Sequence, residues 1–446
     1  MDRTRMKRYL FSHKRFYKSI LLISSLSFTI LFNQKVFSFP RSAYSLINNG
    51  PKEIIDQAWQ MIYRDYLDST GDFNDSKWIE LRKDLLSKKY NNQEDSHEAV
   101  RAMLSTLGDP YTRFLDPKEF KEMRIDTSGE LTGIGIQLSL DIVTDDLIVV
   151  SPIEGTPAFK AGISPKDIII SIDGESTKGM NIENAVRLIR GKEGTKVRIG
   201  LKRNNKVLDV LLVRQKIEIN AVNTKLNFTN SGFAVGYIRL RQFNANASRE
   251  MKKAILKMED NKVNGYVLDL RSNPGGLLEG SIEISRQWMN DGIIVSTQTK
   301  DGIKDVRRAT GSALTKKPLI VLVNEGSASA SEVLAGAILD NNRGLLVGEK
   351  TFGKGLVQSV RTLSDGSGIT VTIAKYLTPN GIDIHKNGIE PNIKVSFPDS
   401  ESFKLNYLDL GTNKDFQYAV GETELVKLIY KANKKSNFKS KIQIDS

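Results

Sequence analysis

Three stretches of this 446-residue chain place chemically capable residue types at the ends of apolar, strand-like runs. After Leu319 to Val323 comes Asn324-Glu325-Gly326-Ser327-Ala328-Ser329-Ala330-Ser331-Glu332, a hydroxyl-rich turn leading into a helical pattern. A hydroxyl at such a junction is exposed at the sheet edge, and a helix N-terminus favours the negative charge that develops as oxygen attacks a carbonyl. Serine is also a preferred N-cap, and spacing alone does not choose among Ser327, Ser329 and Ser331. A second strand-like run ends in Leu268-Asp269-Leu270 and meets Arg271-Ser272-Asn273-Pro274-Gly275-Gly276. Glycines there let backbone N–H groups face a ligand, which suits an oxyanion hole, although a tight connection needs them equally.

The third stretch, Gly348-Glu349-Lys350-Thr351-Phe352-Gly353-Lys354-Gly355, follows Leu345 to Val347 and comes one residue from the phosphate-binding pattern G-x-x-x-x-G-K-[ST]. Gly355 stands where that pattern needs a hydroxyl to hold magnesium. Leu356 to Leu363 reads as a strand leading to a hairpin at Ser364 to Ser367, where the pattern needs a helix. Nucleotide chemistry is therefore disfavoured. A serine nucleophile needs a base, yet the chain has only three histidines, His13, His97 and His385, and only His385 falls in this region. A lysine serves when neutral, and burial lowers a lysine pKa. Lys354 has uncharged neighbours in Phe352, Gly353, Gly355 and Leu356, and Gln358, four residues on, is a polar side chain on the same strand face that can orient it.

The elements that must position these residues alternate from Gly232 onward: Phe233 to Leu240 then Ala247 to Met258, Val263 to Leu270 then Leu277 to Met289, Leu319 to Val323 then Ser329 to Leu339. Such alternation predicts an α/β layered domain with a largely parallel sheet, whose chemistry gathers at the carboxyl ends of the strands. Ahead of it, residues 51–127 carry apolar residues at helical spacing (Ile55, Ala58, Ile62; Trp78, Leu81, Leu85; Val100, Met103, Leu104) and predict a small helical cap, with Ser96 as N-cap of its third helix. Between them, short β-rich runs (Gly135 to Leu140, Leu147 to Val150, Asp167 to Ile172, Lys196 to Lys202, Val207 to Val213) and one amphipathic helix, Asn181 to Arg190, fill residues 129–218. Residues 219–400 are the α/β core, and 401–446 complete the core or the cap.

Composition limits the alternatives. At 39% hydrophobic and 26% charged residues the chain is globular, and its length asks for more than one domain. No cysteine is present, which removes disulfides, thiol nucleophiles and Cys-based metal sites. The net charge of +13 raises nucleic acid as a partner, but seven basic residues between Arg3 and Lys18 precede the apolar run Ser19 to Phe32, the layout of an export signal. We read residues 1–38 as that signal, with cleavage after Ser38; left uncleaved, it would be a membrane tether. No aromatic-basic recognition motif supports nucleic-acid binding.

The unit at 129–218 resembles a PDZ domain in Thr132-Gly133-Ile134-Gly135-Ile136, Gly155-Thr156-Pro157-Ala158, Ala161-Gly162-Ile163 and Asp167-Ile168-Ile169-Ile170-Ser171-Ile172-Asp173-Gly174. The resemblance implies capture of an extended C-terminal peptide by strand addition, with Gly133, Ile134, Gly135 and Ile136 binding the terminal carboxylate. The run Ser327 to Glu332, with Ala335-Gly336-Ala337, Asp340 and Val347 to Gln358, is similar to the C-terminal processing peptidases, also called tail-specific proteases, and cap, inserted PDZ-like unit and core come in that family's order. Carried over by position, Ser329 is the nucleophile, Lys354 the general base, Gln358 the residue orienting the lysine, Gly275 and Ala330 the oxyanion donors, and Asp340 structural. The resemblance implies a multidomain α/β serine endopeptidase with no cofactor or metal, acting on protein or peptide C-termini in the periplasm or thylakoid lumen. Gly108-Asp109-Pro110-Tyr111-Thr112-Arg113-Phe114-Leu115 is similar to the cyanobacterial and chloroplast branch, which trims the precursor of a photosystem II reaction-centre subunit; that precursor, a membrane-associated substrate, is thus a candidate. A non-catalytic PDZ-type scaffold is the competing reading, opposed by the intact Ser329, Lys354 and Gln358 set.

Overall fold

A computed structural model of the protein describes residues 50–444, apart from 129, 142–143, 154, 205, 219 and 397–408. The export signal read at 1–38 lies outside the described residues.

Three helices come first, α1 (Pro51–Asp65), α2 (Asp75–Ser87) and α3 (Gln93–Ser105). Pro51 opens α1, and the Asn74 and Asn92 side chains accept from Lys77 N and Asp95 N at 3.0 and 2.9 Å to cap α2 and α3. Ser96, expected as the α3 cap, is instead one turn inside the helix with its hydroxyl on the Gln93 carbonyl. Asparagine and serine cap about equally well, so the residue types could not rank the two positions.

These helices do not enclose a core of their own. Ile55, Ile62, Trp78, Val100 and Met103 pack with Ile369 and Val371 in one cluster. Those two residues belong to β18 (Gly368–Leu377), the central strand of an antiparallel sheet that also holds β1 (Arg113–Leu115), β13 (Ile293–Thr299), β14 (Gly302–Arg308) and β17 (Leu356–Thr362). The cap is thus a roof on a sheet built mostly from residues nearly 200 positions or more downstream.

After α4 (Pro117–Ser128) the chain runs into the β-rich unit through β2 (Glu130–Gly133) and out through β9 (Gln215–Glu218), which pair antiparallel and bring the two ends of the insertion together. Inside it, β3 (Ile136–Leu140), β4 (Leu147–Pro152), β5 (Ile168–Ile172), β7 (Lys196–Arg203) and β8 (Lys206–Val213) form a sheet in that order, with β6 (Glu175–Ser176) beside β5. Two helices, α5 (Pro157–Lys160) and α6 (Ile182–Ile189), close its core of Ile134, Val149, Ile169, Ala185 and Ile199.

The second large sheet orders as β10 (Val222–Phe228), β11 (Ala234–Leu240), β12 (Gly265–Asp269), β15 (Leu319–Val323), β16 (Leu345–Gly348) and β19 (Ile393–Lys394), parallel except for β10. Its strands send alternate residues to opposite faces. Leu319, Val321 and Val323 join the core under α7 (Ala247–Asp260), α8 (Leu278–Trp288) and α9 (Ala330–Asp340), while Ile320 and Leu322 meet Tyr418, Leu425 and Ile429 of α10 (Phe416–Ile444). The molecule is therefore a multidomain α/β protein, with the C-terminal helix as the second cover of the parallel sheet.

That helix is fastened by charge. Arg271, just past β12, bonds Asp269 and Asp415 through Nη2 at 2.6 Å each, and all three side chains are at most 3% exposed. Burial pushes the Asp269 carboxyl up, but Arg271 holds it below the ordinary carboxylate range. Breaking a buried pair leaves charge uncompensated, so Asp415→Asn should lower unfolding stability by about 3 kcal/mol in urea titration. An unchanged midpoint would show that α10 is held by apolar packing alone.

Candidate active site

β15 and α9 meet at Ser329, the N-cap of α9, whose φ of 55° and ψ of −113° are unusual for a residue with a side chain. Such strain persists only where the surroundings enforce it. Here the hydroxyls on both sides do so. Ser327 Oγ donates to the Leu270 carbonyl and Ser331 Oγ to the Asn273 carbonyl, each at 2.9 Å and each fully buried. These two serines stitch the α9 turn to the turn after β12 and have their hydroxyl protons committed. Ser329 is 8% exposed, and the Tyr376 side chain on β18 interacts with its hydroxyl. The geometry thus separates three serines that spacing left equivalent.

Gly275 lies against this elbow, with φ at 99°. A Cβ there would stand 2.7 Å from the Ala328 carbonyl oxygen and 2.9 Å from Ala330 N, so no side chain fits. Gly275 N donates to Asn273 Oδ1 at 2.9 Å, so any further acceptor there would have to share or displace that bond. Ala330 N is the first amide of α9, where helical N–H groups have no intrahelical partner.

The residue that sequence reasoning left without a role is Glu332, fully buried at the third position of α9. Its Oε2 accepts from Ser329 N and Lys354 N at 2.8 Å each, and its Oε1 accepts from Thr351 Oγ1 at 2.6 Å and Gly353 N at 2.7 Å. One carboxylate ties the serine turn to the loop between β16 and β17 that carries Lys354. The available signal was glutamate three residues past a capping serine, the capping-box spacing. In the same loop Gly355 is required because a Cβ would stand 2.6 Å from His385 N.

Burial lowers the Lys354 pKa, Arg113 lowers it further and Asp109 opposes both. Its Nζ lies 4.6 Å from the centre of the Tyr111 ring and has no hydrogen-bond acceptor among the described residues. Gln358, on β17, buries an amide nitrogen that lacks a partner among the described residues. His385 makes no hydrogen bond to Ser329; its backbone N caps onto Asp383 and its ring meets Tyr111 edge-on. Asp340 ends α9 and accepts from Asn380 N at 3.0 Å. Among the described residues no three His, Asp or Glu side chains gather as a metal cluster.

The loop Gly133 to Ile136 sits at the start of β3, the edge strand of its sheet. Ile134 O accepts from Ala158 N at 2.9 Å and Gly135 O from Ile153 N at 2.8 Å, so the loop's carbonyls are turned inward and held. β3 pairs with β4 on one side only, leaving an edge beside α6 with half-buried Ile136, Leu138 and Leu188.

Because Glu332 must accept four bonds, Glu332→Gln should lower kcat by about 100-fold or more, its amide nitrogen facing two donors. Ser331→Ala, which removes one structural bond, should cost about 1 kcal/mol of stability and leave most turnover. Steady-state rates beside thermal melts of both variants distinguish the two effects.

Comparison with known proteins agrees with this layout. Peptidase family S41 matches residues 234–395 and the PDZ domain matches residues 148–203. A carboxyl-terminal-processing protease of Picosynechococcus is 44% identical over 369 residues, 82% of this chain and 87% of that protein. Carboxyl-terminal-processing peptidase 2, chloroplastic, of Arabidopsis thaliana is 41% identical over 361 residues, 78% of this chain and 70% of that one. The solved structure of a photosystem II D1 C-terminal processing protease is 36% identical, covers 78% of this chain and 94% of its own, and superposes with a TM-score of 0.53. The chain is accordingly a serine peptidase and belongs to the carboxyl-terminal-processing proteases of peptidase family S41, in the cyanobacterial and chloroplast branch.

Proposed function

We propose that Ser329 is the nucleophile and Lys354 its general base in an endopeptidase that removes C-terminal extensions from exported proteins. The observation that carries this reading is that the backbone N–H groups of Ser329 and Lys354 share one oxygen of Glu332, at 2.8 Å each. Two residues 25 positions apart are thereby fixed against each other at a strand-to-helix turn. Neutral Lys354 takes the proton from Ser329 Oγ as that oxygen attacks the scissile carbonyl. The oxyanion faces the N–H groups of Gly275 and Ala330. The ammonium so formed gives its proton to the leaving amine, and water, deprotonated by the same lysine, then hydrolyses the acyl-enzyme. To act, the amine leaves the Tyr111 ring; one of its N–H groups can then donate to the Gln358 amide oxygen, which orients it and leaves the lone pair free to face Ser329 Oγ.

We infer that residues 1–38 export the chain to the periplasm or thylakoid lumen, that 51–127 act as cap, 129–218 as the peptide-capturing unit and 219–446 as the catalytic core with its C-terminal cover. The substrate tail adds to the free edge of β3, its carboxylate on the N–H groups of Gly133 to Ile136 and its last apolar side chain between Ile136 and Leu188. The precursor of the photosystem II reaction-centre protein is the first substrate to test, because the solved relative named for that protein is 36% identical to this chain.

Arginine stays protonated in proteins, so Lys354→Arg keeps charge and loses basicity. Turnover should fall by about 10³-fold or more, Ser329→Ala should match it, and the double variant should cost little beyond either. In the wild type kcat/KM should rise with pH well below the range of an exposed lysine, since burial lowers the Lys354 pKa. Near-normal turnover by Lys354→Arg would sink the Ser-Lys reading. Amidating the C-terminus of a peptide substrate should raise KM by about tenfold or more through loss of a charged hydrogen-bond set. Equal rates for acid and amide would remove Gly133 to Ile136 from carboxylate binding.

A further inference from the structure

Lys354 Nζ lies over an aromatic face rather than in a hydrogen bond, and the backbone carrying that face is tied down. Tyr111 N donates to Asp109 Oδ1 at 2.9 Å, and Tyr111 O accepts from Thr370 Oγ1 on β18 at 2.8 Å. Buried Asp109 also accepts from Thr112 Oγ1 and Thr372 Oγ1, at 2.7 Å each. The cap-to-sheet network therefore fixes the backbone that carries the ring whether or not the lysine is on it. A ring face attracts an ammonium through its quadrupole and offers a neutral amine almost nothing.

We propose that Tyr111 is a positioning residue whose ring holds the protonated form of Lys354 clear of Ser329, and so sets the pH at which the lysine becomes available as base. This rests on the assignment of Lys354 as base. The other groups facing the amine come from several elements. Arg113 on β1 disfavours the ammonium and Asp109 before it favours it. Glu332 on α9 spends its carboxylate on Ser329, Thr351, Gly353 and the Lys354 backbone N–H. Tyr376 on β18 faces Ser329, and beyond β18 His385 and Lys386 line a cavity of ≈ 200 Å³ with Tyr111 and Asp109. Burial disfavours charge on the lysine, and the ring is the direct contact that rewards it.

The sign follows. Removing an attraction for the charged form lowers the lysine pKa, and the acidic limb of kcat/KM moves to lower pH. The test is kcat/KM against pH on the full chain, with a free-carboxylate peptide, for wild type, Tyr111→Phe, Tyr111→Leu and pentafluorophenylalanine placed at position 111. Phenylalanine should keep the wild-type midpoint. Leucine and the fluorinated ring, which keeps the volume but reverses the quadrupole, should lower it by about 1 pH unit, a cation–π attraction of about 1.4 kcal/mol. Coincident midpoints, or an upward shift with the fluorinated ring, overturn the proposal. A second measurement does not depend on catalysis: the Lys354 amine is titrated by ¹⁵N NMR in a Ser329→Ala background, with Lys354→Arg assigning the signal. The same downward shift is expected there even if turnover survives Lys354→Arg, an outcome that would sink the base assignment alone; no shift in the amine titration rejects the role of Tyr111.

Discussion

The catalytic geometry depends on one buried carboxylate. Glu332 receives four donors, two from the loop backbone at 353 and 354, one from the Thr351 hydroxyl and one from Ser329 N. A fully desolvated carboxylate is tolerable only when its oxygens are bonded, so burial and bonding here enforce each other. Because donors come from both sides of the active site, the elbow and the lysine loop cannot drift apart without leaving charge or amides unsatisfied. The unusual φ of Ser329 is one consequence, since its N–H must point at Glu332 while its carbonyl starts α9.

A second constraint comes from the two sheets. Ser329 caps α9 after the turn that leaves β15 of the parallel sheet, and Lys354 lies in the loop that leaves that sheet at β16 and joins the antiparallel one at β17. The proposed nucleophile and base are therefore supplied at the seam between sheets. The cap roofs the antiparallel sheet and brings Tyr111 to the same seam, its carbonyl bonded by Thr370 and the neighbouring Asp109 bonded by Thr112 and Thr372. Residues from three distant parts of the chain thus determine how much water and charge the lysine meets, which is the property its chemistry requires.

The inserted unit follows a different rule. Its two ends pair as β2 and β9, so it leaves the chain and returns at one place. It has its own core, and the outer edge of β3 is left open beside a helix. An open strand edge is normally a liability, and an edge flanked by apolar side chains is a surface suited to another extended chain.

By itself the sequence determined the elements whose periodicity is local. The alternation from Phe233 to Leu339 gave the parallel sheet and its helices, and the glycine spacing from Thr132 to Gly174 gave the inserted unit. The runs around Ser329 and Lys354 carried enough motif to point to serine chemistry without histidine. Tertiary structure decided what depends on long-range pairing. No local pattern marked β13 and β14, or the docking of the cap on Ile369 and Val371, because antiparallel pairing between distant segments leaves no fixed spacing in the chain. Spacing alone likewise left Ser327, Ser329 and Ser331 equivalent, since what sets the two flanking hydroxyls apart is a carbonyl found across the gap, at Leu270 and Asn273. The aromatic face over Lys354 comes from 243 residues upstream, and only the fold can bring a ring from that distance to an amine and so fix the amine's affinity for a proton.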